Sequence, residues 1–156
     1  KGKKNIKPWN FPITKIGFKY NMTDLMASIG LIQLKKLKHF NKTRLNIIKT
    51  YSQKLKSAKN FSPAFPYTFN NSSYWMFTLR CKKRDDLIDF LKSKKIATTV
   101  YIKPLPLHPL YRGYKSKIKN SLKIWKELIT IPTYPNMTNA QLLYVVDNLR
   151  KFDKSY

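Results

Sequence analysis

The stretch YWMFTLRCKKRDDLIDFLKSKKIATTVYI, residues 74–102, decides the fold. Its first part, Tyr74 to Cys81, reads as a strand, with Trp75, Phe77, Leu79 and Cys81 alternating onto one face. Arg84-Asp85-Asp86 then opens a helix, where acidic residues suit the positive end of the dipole. Leu87, Ile88, Leu91 and Ile96 recur at helical spacing and point inward. Ala97 to Ile102 is short and β-branched, a second strand. Strands separated by a helix imply layers of helix on sheet.

Upstream, Thr23 is a candidate N-cap and Asp24 a first-turn acid for a long helical run. Leu25, Ile29, Ile32 and Leu37 fall near one face, with Met26, Gly30 and Leu34 beside it. Gly30 costs about 1 kcal/mol against alanine inside a helix, which suggests close packing on another backbone. From about Asn41 the period continues through Leu45, Ile48, Tyr51 and Leu55, as one kinked helix or as two. Pro63, Pro66, Asn70 and Asn71 make residues 60–73 a loop. Downstream, three prolines keep 103–112 irregular. A helix is expected over about 120–128, a brief strand at 129–131, and a last amphipathic helix capped by Thr138, with Leu142, Val145, Val146 and Leu149 inward. The expected fold class is therefore α/β, with an α+β small domain of a small sheet flanked by helices after a long helix pair. Its expected segments are 1–16 as a connection, 17–59 as an interface loop and long helices, and 60–156 as the small domain.

The 156 residues carry 32 Lys and Arg against 7 Asp and Glu, a net charge of +25. That field attracts polyanions, so a basic, non-enzymatic module for nucleic acid or another polyanion is one alternative. Twenty-seven of the cations are lysines spread along the whole chain, whereas base and phosphate recognition leans on arginine; nucleic acid is the weaker expectation. One cysteine, Cys81, excludes an internal disulfide framework and a multi-cysteine zinc site. No apolar run approaches the ~18 residues of a membrane span. The chain begins at Lys1 with no signal peptide, and is expected to be a trimmed or incomplete product of the cytoplasm.

No complete catalytic constellation stands in these residues. Asp85, Asp86 and Asp89 share one helix turn and read as surface charge. His39 and His108 are far apart, with no acidic cluster beside them to make a metal site. Cys81 reads as a buried structural thiol. Two segments have functional chemistry. Gly17–Thr23 places Lys19 and Asn21 before a helix N-terminus, which is either an anion site or an ordinary capped helix. The loop Tyr101–Tyr111 holds Tyr101, Lys103, His108 and Tyr111 among prolines, as a site border or as a packed surface loop.

GFKYNMTDLMASIGLIQLKKL at 17–37 resembles a signature of the DegT/DnrJ/EryC1/StrS family, pyridoxal-phosphate (PLP) aminotransferases acting on nucleotide-linked keto sugars. Arg44 and Tyr51, SYWMF at 73–77, RDDL at 84–87 with IATT at 96–99, PLPLHP at 104–109 with Tyr111, and IPTYPNMT at 131–138 continue the likeness in order. Six motifs in register are specific where each alone is not.

The resemblance implies the C-terminal part of a fold type I aminotransferase, a homodimer with active sites at the subunit interface. Its implied activity is transfer of an amino group from glutamate to a nucleotide-linked keto sugar for surface polysaccharide or related amino-sugar synthesis. It implies that Lys19 and Asn21 reach the neighbouring subunit's cofactor phosphate, and that Tyr101, Lys103 and His108 border the sugar. No lysine here matches the family's Schiff-base lysine, so no catalytic residue is assigned and the chain alone is expected to be inactive.

Overall fold

The computed structural model describes residues 16–18, 20–67, 72–111, 113 and 118–155. The chain divides into two compact units, Lys1–Lys35 and Lys36–Tyr156. Residues 16–23 of the first have no regular structure where described and lead into helix α1 (Asp24–Lys54). Thr23 caps it: its Oγ1 accepts the Met26 N–H at 3.3 Å, and Asp24 follows in the first turn. The two helical stretches read from the sequence are one continuous 31-residue helix. In the first unit Phe18, Tyr20, Leu25, Met26, Ile29 and Ile32 are all exposed. A Cβ on Gly30 would meet nothing within 4 Å, so among the described residues no close backbone explains that glycine.

In the second unit, β1 (Phe61–Pro63), β2 (Phe77–Cys81) and β3 (Leu128–Ile131) form one antiparallel sheet in the order β1-β2-β3. Phe61 pairs with Cys81, Leu79 with Ile129, and Phe77 with Ile131. The expected strand at 97–102 shrinks to one bridge, where Thr99 and Thr130 exchange backbone hydrogen bonds of 3.0 and 2.8 Å. In that register the next hydrogen-bonded pair on one side would be Ala97 with Pro132, which has no N–H to donate, so the ladder does not continue there. Three-residue β1 lies in the stretch read as loop, with Pro63 at an edge position that tolerates a missing donor. The strand read from Tyr74 begins at Phe77, and Trp75 is exposed.

The core forms where α2 (Arg84–Ser93) and α4 (Asn139–Ser155) meet the sheet and the end of α1. Leu87, Leu91, Val146, Leu149 and Phe152 are fully buried. Burying each such side chain contributes about 1.5–3 kcal/mol. α3 (Lys119–Glu127) buries none of its residues. Cys81 is buried, as its apolar face implies, and burial pushes its thiol pKa up. Asp85, Asp86, Asp89 and His39 are exposed.

Tyr51 ties α1 to the end of the sheet. Its hydroxyl donates to the Pro132 carbonyl at 2.9 Å and lies 3.9 Å from Met137 Sδ. Its ring packs on Phe77 with centroids 5.1 Å apart. Tyr67 stacks on the same phenylalanine at 4.7 Å and accepts the Thr78 N–H at 2.9 Å. Burial raises the pKa of both phenols, Tyr67 to about 12.

Two helix ends are closed by local bonds. α4 opens with a reciprocal cap: Thr138 Oγ1 accepts the Gln141 N–H at 3.2 Å, and Gln141 Oε1 accepts the Thr138 N–H at 2.9 Å. α2 closes with Ile96 N–H bonded to Leu91 O and Lys95 N–H to Lys92 O, each at 2.9 Å. That closure sets Lys95 at φ 57°, the left-handed region where glycine is usual. A side chain there costs about 1–2 kcal/mol.

Replacing Tyr51 by phenylalanine should leave the Pro132 carbonyl without its buried donor and destabilise the chain by about 1–3 kcal/mol. Urea denaturation measures it; a midpoint equal to the parent's would show that this bond adds nothing.

Candidate functional site

A groove lies beside the Thr99–Thr130 bridge, with both threonines in its lining. The groove has a volume of about 750 Å³. One wall is Trp75 and Tyr101, ring to edge with centroids 5.5 Å apart. The floor runs along Thr130 to Tyr134 and Met137, just where the Tyr51 hydroxyl holds the chain. α4 supplies Gln141, Tyr144 and Val145 to the lining, and Lys95 and Ile96 also line it.

Internal bonds fix these groups. Tyr134 donates to Gln141 Oε1 at 3.2 Å, and Tyr144 donates to the Lys94 carbonyl at 3.2 Å. The Thr78 and Thr130 hydroxyls bond each other at 3.0 Å in the buried layer beneath. Gln141 uses its carbonyl in the helix cap, with no described partner for its Nε2. Among the described lining residues only Lys95 is formally charged. The groove is thus aromatic, rich in hydroxyls, and nearly neutral on a chain of +25.

Of the residues singled out in the sequence, Tyr101 lines this groove. Lys103 and His108 do not; the His108 Nε2 lies 3.3 Å from the Lys103 carbonyl and closes the proline-rich loop on itself. That loop forms two short 3-10 turns, Leu105–Leu107 and Pro109–Tyr111. Asn21 is exposed in the first unit, two residues before the Thr23 cap. Lys19 lies outside the described residues. Every described lysine is exposed, and none occupies the enclosed setting in which an amine is tuned as a nucleophile. Among the described residues no group of three or more His, Cys, Asp or Glu could hold a metal ion, and no helix is long and apolar enough to cross a membrane.

The sequence reading missed Trp75 as a groove wall, together with Lys95, Tyr134, Gln141 and Tyr144. Two signals were present: the Thr-x-x-Gln cap at 138–141, and a lysine at the helix-ending position that favours glycine.

A second hollow, of about 420 Å³, lies beside β1 and the end of β2. Arg80 and Glu127 form an ion pair there, with Lys82 and Lys83 also lining it. The Arg80 hydrogen bond holds the Glu127 carboxyl below its usual range, with Lys123 and Lys82 adding to the effect.

A small antiparallel sheet backed by helices, entered by one long helix, is the architecture of a known class of transferase. The aminotransferase TlmJ from Streptoalloteichus hindustanus matches it with a TM-score of 0.84 at 25% identity, over 94% of this chain and 41% of TlmJ. The PLP form of Spr1654 from Streptococcus pneumoniae matches with a TM-score of 0.80, also at 25% identity, over 94% of this chain and 40% of that one. Residues 1–150 match the DegT/DnrJ/EryC1/StrS aminotransferase family, and the chain belongs to it. A protein of Methanocaldococcus jannaschii is 34% identical over 92% of the chain. GDP-perosamine synthase of Escherichia coli O157:H7 is 26% identical over 88%. The chain spans about 40% of the length of these curated relatives.

The Glu127 shift fixes a sign. A carboxyl whose pKa is lowered by folding stabilises fully above the unfolded value, near 4.3, and loses that contribution as pH falls through its lowered folded value. Glu127→Gln should therefore flatten the acid side of the stability curve while changing its slope little above neutrality. Thermal melts between about pH 2.5 and 7 test this; parallel curves for the two proteins would refute it.

Proposed function

We propose that this chain is the C-terminal part of a PLP-dependent aminotransferase that moves an amino group from glutamate to a nucleotide-linked keto sugar. Family membership carries this reading, and the kinship with GDP-perosamine synthase and with the spore coat polysaccharide biosynthesis protein SpsC of Bacillus subtilis favours surface-sugar synthesis.

The residues present fit one end of the cofactor. PLP has a phosphate, and Asn21 stands exposed before the α1 N-terminus, where amide donors and the helix dipole favour an anion. Lys19 would add an ammonium. When bound, the cofactor supplies the electron sink and the amine carrier. This chain's share is to bind and orient: Asn21 and Lys19 toward the phosphate, and Tyr101, Lys103 and His108 along the sugar. The lysine that holds PLP would come from sequence outside these 156 residues.

The exposed apolar side chains of the first unit support a larger setting. Leu25, Met26, Ile29, Leu31, Ile32 and Leu34 stand on several sides of one helix, and a helix apolar on all sides is normally a buried one. The remainder of the enzyme and a second subunit would cover it, in a cytoplasmic homodimer.

In the gene product carrying the family's full length, Asn21→Ala should weaken PLP binding about tenfold, the worth of one hydrogen bond to a charged group. Absorbance titration with PLP, followed by assay with glutamate and keto sugars, reads both effects. A full-length protein that binds no PLP, or transfers no amine to any nucleotide-linked keto sugar, would sink the reading. The 156-residue chain alone should show no PLP absorbance band that one lysine substitution abolishes.

A further inference from the structure

The second hollow, beside β1, gathers positive charge on the side of the sheet turned from the core. β2 buries Phe77, Leu79 and Cys81, so strand alternation sends Arg80 to the opposite face. The register sets Ser62 of β1 across from it, and both line the hollow with Lys59, Lys82, Lys83 and Glu127. Four cations against one carboxylate leave that lining at +3. Arg80 directs Nε and Nη2 at a single Glu127 oxygen, and its Nη1 has no described partner. The Lys82 ammonium is close enough to help hold the Glu127 carboxyl below its usual range, which puts it beside the pair. The rim is fixed from below. The N–H groups of Lys59 and Asn60 donate to the Asp153 carboxylate at 2.7 to 3.2 Å, and Asn60 Nδ2 donates to the Asp153 carbonyl at 2.9 Å. Asp153 is thereby engaged and is not among the described lining residues. Cations held together in this way repel one another unless an anion answers them.

We propose that this hollow, separate from the aromatic groove, binds a short linear polyphosphate whose linked phosphates span Lys59, Arg80 and Lys82. The chemistry follows from the lining. Three of its four cations are lysines, which meet phosphate as point charges, and the arginine keeps one nitrogen open for an oxyanion. A chain of two or three phosphates carries a charge that matches the +3, and the hollow's volume of about 420 Å³ accommodates it. A single phosphate reaches fewer of the cations. Phe61 is the one ring in the lining, and it is buried. No platform is therefore offered to a nucleobase, and the site reads the phosphate chain alone. A free inorganic chain and the tail of a nucleoside triphosphate present that same chemistry. Glu127 sets the strength of the site, for it competes with the ligand for Arg80. The inference goes beyond the aminotransferase reading and does not depend on it.

The test is made on the 156-residue chain without PLP, at about 0.15 M salt to screen diffuse attraction. The backbone amide resonances of Ser62 and Lys82 are followed during titration with tripolyphosphate, inorganic phosphate, citrate and uridine triphosphate. Tripolyphosphate should shift both saturably. Phosphate and citrate should bind at least about tenfold more weakly, the worth of one hydrogen bond between charged groups. Lys59→Gln combined with Lys82→Gln should weaken tripolyphosphate at least about tenfold, read at Ser62. The same loss of charge at Lys36 and Lys42 of α1, which do not line the hollow, should change it by less than about twofold. Glu127→Gln should tighten binding by about threefold or more, since it removes the one negative charge in the lining; a purely structural ion pair would give no such gain. Uridine triphosphate binding equally would admit nucleotide tails as a source, and weaker binding would restrict the site to the free chain; both support it. Tighter binding would mean that a base is read and would overturn the proposal. So would citrate binding equally, equal losses in the two lysine pairs, no gain with Glu127→Gln, or no saturable shift at Ser62 and Lys82. Displacement of tripolyphosphate by a lower concentration of oligothymidylate would overturn it in favour of a nucleic-acid surface.

Discussion

One hydroxyl connects the parts of the second unit. Tyr51 leaves the last turns of α1, crosses the aromatic layer at Phe77, and donates to a carbonyl 81 residues further on. Pro132 and Met137, the two residues its hydroxyl meets, also line the groove. A long helix, a three-stranded sheet and a surface hollow are therefore referenced to the same point. The helix cap at Thr138 and Gln141 begins one residue beyond Met137, so α4 takes its place from the same anchor.

The site is built on rigid supports. Beneath it the Tyr67 hydroxyl accepts the Thr78 N–H while the Thr78 and Thr130 hydroxyls bond each other, and Thr130 also holds the Thr99 bridge that positions Tyr101 two residues later. Apolar burial supplies most of the stability beneath, while these few polar bonds set direction.

Periodic elements were legible in the sequence because their faces are strongly patterned. α2 and α4 follow their apolar spacing, and the Thr138 cap is visible as a motif. Residues 61–63 were hidden because a strand of three residues has no period to detect, and Pro63 points the other way. The 97–102 stretch has strand composition, but its pairing is decided by partners thirty residues away, Pro132 among them. Tyr101 could be singled out locally. Its neighbours could not, because Trp75, Lys95, Tyr134 and Gln141 meet only when β2, the end of α2, the end of β3 and α4 converge. The apolar residues of the early part of α1 show a different limit: periodicity says that a face is made for burial, never what buries it.

The junction near the end of α4 has a consequence for how the protein is made. Arg150 caps the α1 carbonyl of Lys54 at 2.8 and 3.1 Å, and Asp153 receives the N–H groups of Lys59 and Asn60 at 2.7 to 3.2 Å. Each of these bonds joins residues more than ninety positions apart. On the ribosome, at about 5–20 residues per second, the end of α1 and the lead into β1 wait some five to twenty seconds in solvent before their partners exist. Until then the nascent chain offers free carbonyls, free amides and an uncovered sheet face, the surfaces that chaperones and proteases recognise. The last helix is thus a closing clasp, and the interval before it is synthesised is when this fold is most open to rescue or to loss.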